Sequence, residues 1–134
     1  LRDAVVQVKG ITIIGRDDRS NPGRKALSEL ADSLSCFTIL LDHQPYHLEE
    51  AEAAGIDLQF SGHTHRGQVW PLNWLTDAMY EKSWGYHRRG NSQYYVSSGV
   101  GIWGPKIRIG TRSEYLVLRI EPRLSRSSPA ANGS

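Results

Sequence analysis

The apolar positions fall into short runs separated by helical periods. Residues 4–8 (Ala-Val-Val-Gln-Val) and 11–14 (Ile-Thr-Ile-Ile) are rich in β-branched side chains, with Lys9-Gly10 between them. That pattern predicts two strands joined by a tight turn. Residues 15–23 carry Asp, Asn, Pro and Gly and read as a loop. Residues 24–34 place Ala26, Leu27, Leu30, Ala31 and Leu34 at helical spacing. Residues 37–41 form a continuous apolar run, which predicts a strand buried on both faces. Residues 46–54 are again helical in period, with Gly55 as the C-cap. Residues 56–60 form the next strand.

Strand, helix, strand at this spacing is a βαβ unit, whose strands are parallel and joined by a right-handed crossover. The unit sends residues 42–45 (Asp-His-Gln-Pro) and 61–68 (Ser-Gly-His-Thr-His-Arg-Gly-Gln) out at the same carboxyl-terminal sheet edge. Open α/β sheets place their ligands at that edge. Beyond it, residues 66–90 look irregular and aromatic, with Trp70, Trp74, Tyr80, Trp84 and Tyr86 expected mainly to fill a loop core. Residues 93–97 and 114–120 read as later strands. The run from Ser128 is rich in Ser, Ala, Asn and Gly and reads as a tail. No internal repeat is visible.

The chain has 134 residues, 39% hydrophobic and 22% charged, which fits one folded domain rather than a disordered segment. A net charge of +2 gives no argument for nucleic-acid binding. Cys36 is the single cysteine, so no internal disulfide forms; its apolar neighbours predict a buried thiol. No stretch has the length of a membrane span.

Three of the five histidines lie in the two sheet-edge segments. Gly62 lets the backbone turn, and in an extended segment His63 and His65 would point to one side. Two imidazoles facing one cavity suit transition metals. A pair of surface histidines in a Gly-rich loop is the other reading, and His43 at the adjacent strand end favours ligation. His47 and His87 read as surface residues. Asp42 should point away from His43, as strand neighbours do. Asp17-Asp18 reads as a solvated turn, although it could approach the site. Residues 82–112 hold Lys82, Arg88, Arg89, Lys106, Arg108 and Arg112 without an acid. That run is either a positive field for a phosphate-bearing substrate or ordinary solvated surface.

Residues 42–45, 55–58 and 61–68, with residues 95–101, 103–105 and 108–110 (Arg-Ile-Gly), resemble the carboxyl-terminal half of calcineurin-like metallophosphoesterases. The subgroup they resemble more closely is the bacterial, membrane-associated one typified by YkuE and YaeI. The resemblance covers residues 1–121, leaving 122–134 as a tail. It implies an α/β fold, part of a four-layer αββα sandwich with a mixed β-sheet, flanking helices and two divalent metal ions (manganese, iron, zinc or similar). His43 and His63 would bind one metal and His65 the other, with His63 and His65 at the catalytic centre. Arg66 departs from the subgroup, which often has Gly there; with Arg108 it is a candidate to contact substrate phosphate, or it is merely tolerated at the rim. The implied function is phosphoester hydrolysis by a metal-activated hydroxide, on phosphomonoesters, phosphodiesters or lipid-linked pyrophosphates.

The family's amino-terminal Asp-x-His, Gly-Asp and Gly-Asn-His blocks do not occur in this sequence. The chain is therefore expected to be a fragment, inactive alone, whose partners are the missing amino-terminal half or further copies of itself. A non-catalytic metal- or phosphate-binding module is the alternative. The resemblance implies a cytoplasmic location or one peripheral to the cytoplasmic membrane.

Overall fold

A computed structural model describes residues 1–32 and 34–121. Six strands form one mixed sheet: β1 (Ala4–Val8), β2 (Ile11–Gly15), β3 (Thr38–Leu41), β4 (Leu58–Ser61), β5 (Gly85–Arg89) and β6 (Ser92–Val96), in the order β1-β2-β3-β4-β6-β5. Strands β2, β3, β4 and β6 run parallel, and β1 and β5 close the edges as antiparallel hairpin partners. The β1–β2 turn uses Lys9 and Gly10, both at positive φ, as a tight hairpin requires.

Helices α1 (Leu27–Leu30) and α2 (Leu48–Ala53) lie in the β2–β3 and β3–β4 crossovers. Their buried positions, Leu27, Leu30, Leu48 and Ala51, meet Ile14, Leu40 and Tyr94 of the sheet to form the core. Tyr94 brings a hydroxyl into that core and donates it to the Leu48 carbonyl at 2.7 Å. That bond ties sheet to helix and offsets the cost of burying the phenol oxygen. Helix α1 is shorter than its apolar period suggests. Arg24, inside the expected helix, turns its guanidinium to Asp42 and to the Asp17 carbonyl, which fixes that stretch outside the helix.

The opposite sheet face is apolar and open toward its rim, while Ile39 and Leu58 on its central strands are buried. Val6, Ile13, Ile39 and Leu58 share one register row, and Leu41, Phe60, Tyr95 and Tyr86 share another. Leu41 is 42% exposed and Tyr86 54%. Among the described residues there is thus one sheet with helices on one face, two layers of the four that the resemblance implies.

Several expectations need correction. Residues 114–120 form no strand; Leu116, Leu118 and Ile120 instead border a groove on the open face with Phe37, Phe60 and Tyr95. The alternation is real, since Tyr115 and Val117 point outward at 81% and 80% exposure. It reports which side each residue occupies and not whether a neighbouring strand exists to complete a ladder. The region taken as irregular contains helix α3 (Leu72–Met79) and β5. Trp70, Trp74 and Tyr86 are exposed rather than core: Trp74 lies on α3, which buries none of its residues, Trp70 precedes that helix, and Tyr86 is on edge strand β5. Cys36 is exposed as well, since β3 begins two residues later and Thr38 takes the first buried position. The expected tail, residues 122–134, lies outside the described residues. Among the described residues no helix is long and apolar enough to cross a membrane.

Candidate functional site

Strands β3 and β4 are neighbours in parallel register, so the residues that follow them emerge side by side. The pairing continues past the strand ends: Asp42 N–H donates to the Phe60 carbonyl at 3.1 Å, and Gly62 N–H donates to the His43 carbonyl at 2.9 Å. These bonds bring His43 beside His63, with ring centroids 5.2 Å apart and planes at 81°. A Cβ on Gly62 would sit 3.9 Å from His43 Nδ1 and from the Ser97 carbonyl. Anything longer would enter the space against the His43 ring, so glycine keeps it open.

The loop after β4 is not extended, and this corrects the expected same-side pairing of His63 and His65. His63, His65, Arg66 and Gln68 all have positive φ (66°, 48°, 51° and 56°), as does Gly67 at 74°. Left-handed backbone costs a non-glycine residue roughly 1–2 kcal/mol, so tertiary contacts must hold it. Buried Thr64 donates its hydroxyl to the Ser83 carbonyl at 2.6 Å and accepts from Arg66 N–H at 3.2 Å. Gln68, 3% exposed, donates to the carbonyls of Trp103 and Pro105 at 2.6 and 3.1 Å and accepts from Trp103 N–H at 2.5 Å. Gly67 lies against the start of α3, where a Cβ would collide with the backbone of Leu72 and Asn73.

The electrostatics favour neutral imidazoles. Burial lowers the pKa of His63, and the His43 ring lowers it further, while Asp18 acts in the opposite direction. Burial also lowers the pKa of His65, reinforced by the Arg108 charge and partly opposed by the Gly101 carbonyl. Asp18, whose carboxylate is held down chiefly by Ser20 hydrogen bonds, is close enough to feel His43 and His63. A neutral imidazole offers a ring-nitrogen lone pair to a metal. His65 Nδ1 is buried with no hydrogen-bond partner among the described residues, a nitrogen that an ion would satisfy. The donors therefore fit transition metals in kind. They fall short in number, because no group of three His, Cys, Asp or Glu side chains among the described residues could hold one ion.

The remaining candidates separate. Arg66 sits over the Trp84 ring, its guanidinium carbon 3.8 Å from the centroid, and borders a cleft of about 660 Å³. Arg108 is already engaged with the backbone: it donates to the carbonyls of Gly101 (2.5 Å), Ser98 (3.2 Å) and Arg112 (3.3 Å). Its nearer role is to brace residues 98–112. The basic run divides. Arg89 pairs with Glu52 and Glu81 on edge strand β5, away from the histidines. His47 caps α2 beside Glu49 and His87 packs on Tyr94, so neither joins the site. Asp42 points away from His43, as strand alternation predicts, into a buried ion pair with Arg24 (2.5 Å) and Arg16 (3.6 Å). Sequence reasoning gave no role at the site to Gln68, Trp84 or Glu114. The Glu114 carboxylate accepts from Trp84 Nε1–H at 3.0 Å and Ser98 N–H at 2.7 Å. No local pattern announces these long-range partners.

No family model matches the chain, and no solved structure matches it. Among curated proteins it is similar to an uncharacterized metallophosphoesterase of Helicobacter pylori strain J99, 43% identical over 88 residues, 64% of this chain and 24% of that protein. A transmembrane protein with metallophosphoesterase domain from Danio rerio is 40% identical over 79 residues, 57% of this chain and 18% of that protein. The uncharacterized metallophosphoesterase YkuE of Bacillus subtilis is 31% identical over 99 residues, 71% of this chain and 34% of that protein. The chain thus spans about a quarter of the length of the Helicobacter relative. Over more than half of its own length, this chain is similar to proteins named for metallophosphoesterase activity.

Proposed function

We propose that this chain contributes the histidine-bearing edge of a metal-dependent phosphoesterase site. The observation that carries the reading is the His43–His63 ring pair at the carboxyl ends of two parallel strands, in a chain similar to metallophosphoesterases. His43 and His63 would hold one divalent ion and His65 a second. Bound ions would supply Lewis acidity toward a phosphoryl oxygen and an activated water. The chain's own residues orient and restrain. Gly62 keeps the space against His43 clear, and Thr64 and Gln68 hold the loop in its left-handed course. Burial and then the Arg108 charge lower the pKa of His65, which favours the neutral ring that can ligate. The substrate would be a phosphate ester, and the lipid-linked pyrophosphates suggested by the YkuE-like resemblance are one class within it.

Three imidazoles do not complete a dimetal centre, which needs bridging oxygen ligands. We therefore place the remaining ligands on another polypeptide segment, which would also cover the open apolar sheet face. The lack of three convergent His, Cys, Asp or Glu side chains among the described residues favours one alternative, a module that binds metal or phosphate without catalysis.

Zinc titration followed by histidine ring chemical shifts tests the metal site directly. The rings of His43, His63 and His65 should shift together, and His63→Ala should weaken binding sharply. Equal binding by wild type and a His43→Ala/His63→Ala variant would overturn the assignment. Manganese-dependent hydrolysis of bis-p-nitrophenyl phosphate separates the two readings. Activity that depends on His63 marks a catalytic site; metal binding without turnover, even after addition of an amino-terminal segment from a relative, marks the binding module.

A further inference from the structure

A cavity of about 670 Å³ lies between the loop that follows β2 and helix α2, within the usual range for a small-molecule site. A smaller one of about 190 Å³ shares Arg16, Arg19, Arg24 and Glu50 with it. The larger cavity is walled by four cations, Arg16, Arg19, Arg24 and Lys25, and by one carboxylate, Glu50. Neither the metal reading nor the core uses Arg19 or Lys25.

The carboxylates nearby are already taken. Glu50 accepts from Arg16 at 3.1 Å. Buried Asp42 pairs with Arg24 at 2.5 Å and with Arg16 at 3.6 Å. Asp3 accepts from the backbone N–H groups of Asp17 and Lys25. The side chains of Arg19 and Lys25 are left without a hydrogen bond or ion pair among the described residues, and Lys25 is held through its backbone alone. Arg19 is nonetheless positioned: its guanidinium carbon lies 4.5 Å from the Tyr46 ring centroid. Tyr46 is fixed in turn by its hydrogen bond with Tyr80 at 3.0 Å. A cation–π contact holds an arginine without consuming its N–H donors. Arg16 supplies a second, independent sign. Its side chain is only 9% exposed, and its Nε–H is buried with no acceptor among the described residues. An idle donor on a buried guanidinium calls for a bound group that these residues do not supply.

We propose that this cavity binds a phosphate dianion, free or as the end of a small phosphomonoester, held by Arg19 and Lys25 with Arg16 on the wall. A dianion matches two uncompensated cations, whereas a single carboxylate leaves one in excess. Phosphate oxygens also suit both a planar guanidinium fork and an ammonium point charge. Leu27, Ala53 and Ala54 on the remaining wall would receive the carbon part of an ester. The site stands whether or not the histidines hold metal.

The test titrates the whole chain with inorganic phosphate in EDTA at about pH 8, where phosphate is a dianion and no metal is involved. Binding is read from the Arg16 Nε–H resonance and the backbone amides of residues 19–28. Phosphate should shift these signals, and Arg19→Gln with Lys25→Gln should weaken binding about tenfold or more, the loss of charge-assisted hydrogen bonds. Arg19→Lys with Lys25 intact retains the charge and should lose less than Arg19→Gln. Both positions are exposed, so the core is untouched, and circular dichroism checks that the variants fold. Acetate at equal ionic strength should shift the same signals far less. Phosphate binding unchanged in the double variant overturns the proposal, and so do equal shifts with acetate, which would mark simple screening. Phenyl phosphate separates the two sources: tighter binding than inorganic phosphate marks an ester, and equal affinity marks the free ion.

Discussion

Gln68 offers a test of what shapes the histidine loop. Its side chain is buried and makes three hydrogen bonds to residues 103 and 105. Each such bond is worth about 1 kcal/mol net. Trp103 and Pro105 are exposed, so groups freed by Gln68→Ala can reach water. The Ala variant should therefore lose about 1–2 kcal/mol. Gln68→Glu has nearly the same shape but a different effect. A carboxylate can still accept from Trp103 N–H, but it faces two carbonyl oxygens with no proton to donate. It also buries a charge at a site that is 3% exposed, so the loss should exceed that of Ala, at roughly 3 kcal/mol.

The pH dependence has a definite sign. The folded-state pKa of the new Glu lies above its unfolded value, so its contribution is intact below about pH 4.3. The contribution is lost as pH rises through the folded value. The Glu variant should therefore approach wild type on acidification, and the Ala variant should not. Urea unfolding followed by circular dichroism at pH 4 and pH 7 measures all three proteins. Glu as stable as Gln at pH 7 would refute the assignment of these bonds.

Three further outcomes are expected. Asp42→Ala leaves the guanidinium of Arg24 buried without its acid, while Arg16 keeps Glu50; urea unfolding should show a loss of about 3 kcal/mol, the low end for breaking a buried pair, and a loss under 1 kcal/mol would contradict the pairing. Tyr80 has its pKa pushed up to about 12 by burial and by its hydrogen bond with Tyr46. Its stabilising contribution is complete below pH 10 and disappears as pH rises through 12; burial also raises Tyr94 and Tyr95, so ultraviolet titration should show several late phenols, of which Tyr80→Phe removes one. The open sheet face should drive self-association, which sedimentation velocity would detect and Leu41→Lys with Tyr86→Lys should reduce; a monomer at high concentration would contradict that role.

Much of the sheet was legible because its signals are local. Lys9-Gly10 marks a hairpin, and the apolar run at residues 37–41 and the alternating segment at 56–60 are bounded by turn residues. The βαβ rule then brought His43 and His63 to one edge without any long-range information. Helix α3 was missed because its apolar residues stay exposed, so its period had no core to serve. The course of residues 114–120 was missed because alternation is the same with or without a partner strand. At the site, residue type announced the histidines, but the loop's handedness depends on Thr64, Gly67 and Gln68 reaching Ser83, α3 and residues 103–105. Those partners lie up to 37 positions away, beyond the range of any local pattern.

The left-handed loop has a consequence for transplanting the site. Backbone conformations that a sequence favours by itself travel with that sequence when it is moved to a new host. Residues 63–68 do not have this property, since four non-glycine residues there have positive φ and are held by distant contacts. The octapeptide at 61–68, grafted alone onto the end of another parallel strand, would relax to right-handed or extended forms and separate its imidazoles from a host histidine. A portable unit must include the Ser83 carbonyl, the start of α3 and the 103–105 turn. The smallest transferable version of this site is therefore a piece of tertiary structure, and the histidine motif is only its visible part.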